Sequence, residues 1–243
     1  MFHVEVPRDV VRVSGADAAT YLQSQLSNDL RDLQVGASRW SFLLQPTGRV
    51  DVLLRVWRAA DDEFVLDTDG GFGEVMVARL NRFKIRVKAD IEALPWRCIA
   101  VRGVDGADRD GVDLDGVAGL VAWGSGFDLL GANPQAPEGI PAGTPEQLLA
   151  ERIDAAWPAM GAEIVPGDTI PAETGITEVA VSFRKGCYPG QELVERMDSR
   201  AATAPRLLRS LDAADAERLG ARITSRSGDR VLAYVPRSAL MAD

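Results

Sequence analysis

The segment from Arg184 to Arg200, RKGCYPGQELVERMDSR, gathers groups that do chemistry. It holds a thiol, Cys187, beside Lys185, and two glycines, Gly186 and Gly190, that let backbone approach closely. Pro189 predicts the first turn of a helix whose N-terminus carries Gln191 and Glu192. A positive helix end and nearby cations favour a thiolate, so Cys187 has the setting of a reactive or ligating thiol. The same residues also describe an inert cysteine buried in a tight turn. Cys98, in the apolar run WRCIAV, reads as a core residue.

Other chemistries are excluded by scarcity. His3 is the only histidine and Cys98 and Cys187 the only cysteines, so a conventional zinc site or a Cys-ligated cluster within one chain lacks ligands. A Ser-His-Asp triad would rest on a histidine at the extreme N-terminus. GSGFDLLG has its third glycine displaced for a dinucleotide loop, and no helix follows. The acids Asp105, Asp108, Asp110, Asp113 and Asp115 miss the EF-hand frame, which meets Gly111 and Ala122 where oxygen ligands belong. Ser182 and Lys185 match S-x-x-K, but the K-T-G companion is absent.

The 243 residues carry a net charge of −9, which gives no bulk attraction to nucleic acid or an anionic membrane. The charge is uneven. Arg196 to Arg237 holds nine arginines and five acids, a local +4, leaving −13 on the rest. That stretch reads as a solvated arginine-rich surface or as an anion or partner site. Two distant cysteines, no membrane-length apolar run and no signal-like N-terminus predict a cytoplasmic protein.

The elements that must position these residues follow from pattern. Phe2 to Val13 alternates as one or two strands broken at Pro7. SGADAATYLQSQLSNDL predicts a helix capped by Ser14. Residues 39 to 58 form a hairpin around the turn Pro46–Gly48, followed by a strand from Glu63. A helix from about Glu74 to Asn81 precedes FKIRVKADI, whose alternation predicts a half-buried strand. A helix starts at Pro145, and ARITS and RVLAYV are two strands of the tail. Strands and helices do not alternate as repeated βαβ units, so the class is α+β. Three modules are expected: 1–90 with 146–204, a loop-rich 91–145, and 205–243.

KGCYPGQE resembles the signature of the YgfZ-type folate-binding proteins, relatives of the glycine-cleavage aminomethyltransferase. Four further segments match in order: SGADAATYLQSQLSNDL, LLQPTGRVDVLLRVWR, RLNRFKIRVK and IDAAWPAMGAEIVPGDTIPAETG. The resemblance implies an aminomethyltransferase-like fold, three modules around a central cavity, with the C-terminal barrel shortened. It implies tetrahydrofolate or a one-carbon derivative as ligand, with no metal held by one chain alone. It implies a role in assembly or repair of iron–sulfur clusters in client enzymes, tRNA-modifying ones included. Partners would be folate and iron–sulfur client or assembly proteins, without direct nucleic-acid or membrane contact. Cys187 and Lys185 would be the working residues. Asn28, Asp29, Glu173, Gln191, Glu192 and Arg200 would hold the folate, with Arg200 or Arg206 on its anionic tail. The alternative is a folate-dependent aminomethyl transferase. Against it, Val52 and Leu53 stand where the transferases carry a strand acid, and Asp51 has the opposite strand parity.

Overall fold

Pro7 divides the N-terminal run between two sheets. In the computed structural model, which describes residues 1–104, 117–198 and 204–241, β1 (Phe2–Val6) and β2 (Arg8–Ser14) lie in different sheets. Proline donates no N–H to a ladder, which suits the step between them. β2 joins β3 (Ser38–Leu44), β4 (Val50–Ala60), β5 (Glu63–Asp69) and β6 (Asp90–Leu94) in an antiparallel sheet of order β3-β4-β5-β2-β6. β1 joins β7 (Arg97–Arg102), β8 (Val117–Val121) and β9 (Gly126–Gly131) in the order β1-β7-β9-β8. β10 (Arg206–Asp212), β11 (Arg222–Ser227) and β12 (Arg230–Pro236) form a third sheet, β10-β12-β11, which stays open among the described residues. Every strand pair in the three sheets is antiparallel.

The five-stranded sheet is buried on both faces. Leu22 of α1 (Ala18–Gln25), with Met76 and Leu80 of α2 (Gly73–Phe83), packs against Val52, Leu54, Val56 and Leu66. On the other face Trp40, Phe42 and Leu53 meet Trp157, Met160, Ile176, Tyr188 and Val194. This is why VDVLLRVW in β4 reads as a nearly continuous apolar run. The helix α3 (Pro145–Asp154) opens on a capping box. Thr144 Oγ1 accepts from the Gln147 amide at 3.3 Å, and Gln147 Oε1 accepts from the Thr144 amide at 2.9 Å. Its Ile153 packs on Leu208, Leu232 and Tyr234 of the third sheet. A 3-10 turn (Pro171–Glu173) and the short helices α4 (Thr177–Ala180) and α5 (Gln191–Asp198) lie between. α6 (Ala213–Arg218) covers the other face of the third sheet, and α7 (Arg237–Leu240) follows β12.

Three expectations are corrected. FKIRVKADI is not one strand: α2 runs to Phe83, Arg86 has φ 58°, and the strand begins at Asp90. The Lys88 amide donates to Asp17 Oδ2 at 2.8 Å and its carbonyl accepts from the Asp17 amide at 3.1 Å, which ties this loop down without a ladder. Ser14 ends β2 rather than capping α1, whose N-cap is Asp17. Pro189 precedes α5 instead of sitting in its first turn. β10 had no predicted counterpart. The acid cluster from Asp105 to Asp115 and Arg200 lie outside the described residues.

His3 is structural. Its backbone exchanges hydrogen bonds with Pro141 and Gly143, and its Nδ1 lies 2.9 Å from the Ile140 carbonyl. Among the described residues no group of three or more His, Cys, Asp or Glu is placed to hold a metal ion. No helix among them is long and apolar enough to cross a membrane.

Candidate functional site

Lys185 locks the KGCYPGQE loop onto the end of α1. Its Nζ donates to the carbonyl oxygens of Gln23 at 2.6 Å, Leu26 and Asn28 at 3.0 Å, which uses all three donors. Gln23 lies in the last turn of α1, Leu26 is its C-cap and Asn28 follows just beyond, and the helix dipole there favours a cation. Burial pulls the ammonium down to about 8, against the pull of the Asp29 carboxylate.

Asn28 and Asp29 are spent locally. The Asn28 amide nitrogen donates to the carbonyls of Trp40 at 2.9 Å and Val179 at 2.8 Å, and its Oδ1 accepts from the Asp29 amide at 2.9 Å. Asp29 accepts from Arg31 Nε at 2.9 Å, and that guanidinium holds its carboxyl well below the usual range. On the far side of the thiol, Tyr188 is buried in the core, and its amide donates to Gln191 Oε1 at 3.0 Å. Cys187 therefore stands exposed between two anchored neighbours. Gly186 meets no neighbour that a Cβ would strike, whereas Gly190 packs against the hairpin tip at Gly48. Glu192 is exposed in the first turn of α5.

Glu173 lies apart from this group. It is buried in the 3-10 turn, and its Oε2 accepts from Arg206 Nη2 at 3.2 Å. The Arg206 guanidinium lies over the Tyr234 ring, 4.4 Å from its centroid. The structure thus brings together Asn28, Asp29, Lys185, Cys187 and Gln191, and pairs Glu173 with Arg206 elsewhere.

A cavity of about 310 Å³ opens where the first two sheets meet α3. Its walls include Pro7, Arg8, Asp69, Arg102, Trp123, Asp128, Arg152, Trp157 and Met160. Behind it runs a buried ionic chain. Arg55 is fully buried in β4 and grips Asp67 with two bonds of 3.0 Å, while its Nη1 reaches Asp128 Oδ2 at 2.7 Å. Arg102 Nη1 donates to the other Asp128 oxygen at 2.8 Å, and Arg8 Nε to Asp67 Oδ2 at 2.8 Å. Burial alone would raise both carboxyls; the guanidiniums overcome it and hold Asp67 and Asp128 below the ordinary range. Arg152 Nη1 pairs with Glu163 Oε2 at 2.7 Å. Cys98 lies against this chain at zero exposure, and burial pushes its thiol up.

Sequence reasoning missed these wall residues because they come from segments far apart in the chain. A signal existed: Arg55 in VDVLLRVW, Asp67 in FVLDTD, Arg102 in CIAVR and Asp128 in GFDLL are charges inside apolar strands. Such charges stay ionised only when paired.

No protein-family model matches the sequence. The "iron-sulfur cluster assembly factor IBA57 homolog, mitochondrial" of Pyricularia oryzae is 30% identical over 215 residues, covering 83% of this chain and 54% of that protein. The "tRNA-modifying protein YgfZ" of Klebsiella pneumoniae is 28% identical over 229 residues, covering 78% of this chain and 65% of that protein. Over about four fifths of its length the chain is similar to YgfZ-type and IBA57-type proteins. It spans about half the length of the IBA57 relatives it matches. The glycine cleavage system aminomethyltransferase T of Bartonella henselae superposes with a TM-score of 0.72 over 97% of this chain and 78% of its own. At 18% identity that likeness shows the fold, which is that of the aminomethyltransferase.

Proposed function

We propose that this protein binds tetrahydrofolate, or a one-carbon derivative of it, and supports assembly or repair of iron–sulfur clusters in client enzymes. Cys187 is the working thiol, the clients include tRNA-modifying enzymes, and the compartment is the cytoplasm. The name of the IBA57 relative supports the cluster role, and that of the YgfZ relative the link to tRNA modification. The observation that carries the reading is the division of labour in the structure. The junction cavity has the size and the mixture of aromatic, charged and apolar walls that suit a heterocyclic ligand. The exposed thiol lies on a separate, anchored loop, available to another protein. In this reading Lys185, Asn28, Asp29 and Gln191 serve by holding the loop in place.

Calorimetry with tetrahydrofolate tests the first half, and absence of binding at millimolar ligand overturns it. Replacement of Cys187 by Ala or Ser tests the second. The variant keeps its melting temperature and fails to restore client-enzyme activity in cells lacking the protein; full restoration makes the thiol structural. A second reading, one-carbon transfer, has the shared fold in its favour. Turnover of methylene-tetrahydrofolate would establish it. Buried Val52 and Leu53 supply no acid on β4, and Asp51 turns instead to Gln45 at 2.8 Å and Arg79 at 3.4 Å.

A further inference from the structure

One charged surface is used by neither the cavity nor the thiol. Four cations, Arg82, Lys84, Arg86 and Lys88, fall within seven residues, and no acid stands between Glu74 and Asp90. Arg82, Arg86 and Lys88 are exposed and Lys84 is half-buried. Among the described residues none of these four side chains has a carboxylate partner, and Arg82 meets only the Phe83 ring, 5.7 Å from its centroid. Exposed arginines elsewhere are paired: Arg12 with Glu92, Arg31 with Asp29, Arg97 with Glu5. Asp17 faces the loop, but its carboxylate accepts from the Lys88 amide.

The loop that presents these cations is held in shape. Asp17 and Lys88 exchange hydrogen bonds of 2.8 and 3.1 Å at its base. Gly15 lies against the Lys88 carbonyl oxygen, where a Cβ would stand only 2.5 Å away. Arg86 takes a left-handed backbone, φ 58°, which an L side chain adopts only where its surroundings hold it. At the tip, between Lys84 and Arg86, Ile85 is 76% exposed. A recess of about 330 Å³ lies between α1 and the loop, walled by Thr20, Tyr21, Ser24, Phe83 and Val87.

We propose that this loop docks an acidic segment of a partner protein, with carboxylates on Lys84, Arg86 and Lys88 and an apolar side chain in the recess beside Ile85. Charge selects the occupant. The whole chain carries −9, so an extended polyanion such as RNA, or an anionic bilayer, is repelled by the rest of the surface. A short acidic segment meets only the local cations, because charges beyond a Debye length of about 8 Å are screened. One exposed isoleucine also gives little apolar area for a bilayer. The pinned backbone lowers the cost of ordering the loop on binding. This loop and the Cys187 loop are tied to opposite ends of α1, whose eight residues span about 12 Å, so one interface of ordinary size can cover both. Neither folate nor the thiol is needed for this docking.

Fluorescence anisotropy on the full chain follows a labelled peptide in which glutamates flank two leucines. The wild type binds it, and affinity falls as salt is raised. The same peptide with lysine for every glutamate does not bind. The double variant Lys84→Glu, Arg86→Glu loses at least about tenfold in affinity. Arg222→Glu with Arg226→Glu, an equal charge change at exposed positions of β11, loses less than about twofold. No binding of the acidic peptide at millimolar concentration, equal binding of the lysine peptide, or equal losses in the two double variants overturns the proposal. Transfer RNA, phosphatidylserine vesicles or a second copy of the chain, if bound more tightly than the peptide and released by Lys84→Glu with Arg86→Glu, overturns it in favour of that occupant. If this double variant does not keep its melting temperature, Ile85→Ser decides: it loses at least about threefold, and unchanged affinity for the acidic peptide overturns the proposal.

Discussion

Gly48 and Gly190 meet backbone to backbone, and through them the β3–β4 hairpin tip holds the loop that presents Cys187. A Cβ on Gly190 would lie 2.8 Å from the Gly48 Cα, and one on Gly48 would lie 2.9 Å from Leu193 Cδ2. Both residues have left-handed φ, +83° and +84°. Gly190→Ala therefore meets a steric and a conformational cost together, about 2–3 kcal/mol. Urea denaturation measures it. The same change at Gly186, which meets no neighbour, leaves stability within about 0.5 kcal/mol.

Lys185→Met leaves three carbonyls at the end of α1 without their donor and destabilises by about 2–3 kcal/mol, read as a shift in the urea midpoint. The chain has only three lysines, so carbon-13 labelling of lysine resolves them by NMR. The Lys185 Cε resonance titrates with a midpoint of about 8.

The ionic chain behind the cavity makes stability depend on acid. Asp67 and Asp128 have folded pKa values below their unfolded ones. The unfolded state then takes up protons first as pH falls, so their stabilisation is present at neutral pH and is lost below the ordinary carboxylate range. Urea midpoints hold from neutral pH down to about pH 5 and fall below it, as pH passes through and under the ordinary carboxylate range. Among the described residues, Asp128→Asn leaves Arg102 with carbonyl partners only and Arg55 with Asp67 as its single carboxylate, costs about 3–5 kcal/mol at neutral pH, and flattens that pH dependence.

The two thiols separate by accessibility. A thiol-reactive chromophore labels one site per chain rapidly, and Cys187→Ser removes that phase. Cys98, at zero exposure, reacts only as the chain unfolds.

The elements legible in the sequence were those with local causes. Pro7, the Pro46–Gly48 turn and the helix start at Pro145 each act within a few residues, and the structure realises all three. The strand expected at Phe83 to Ile91 failed because alternation also describes a loop tied at its base, here by Asp17 some 70 residues away in sequence. Ile85, which the alternation would bury, is 76% exposed. At the site, the KGCYPGQE loop was visible as composition, but its anchoring by Lys185 to Gln23, Leu26 and Asn28 is long-range. The cavity was illegible for the same reason: Arg8, Asp69, Arg102 and Trp157 become neighbours only when two sheets and α3 meet.

The division at Pro7 also sets a timetable for synthesis. β1 pairs with β7 in the register Phe2 to Arg102 and Val6 to Cys98. At ribosomal speed β1 waits roughly 5–20 s for its partner, while β2, one proline later, can join β5 sooner. The growing chain thus carries an unsatisfied strand edge until its second sheet emerges.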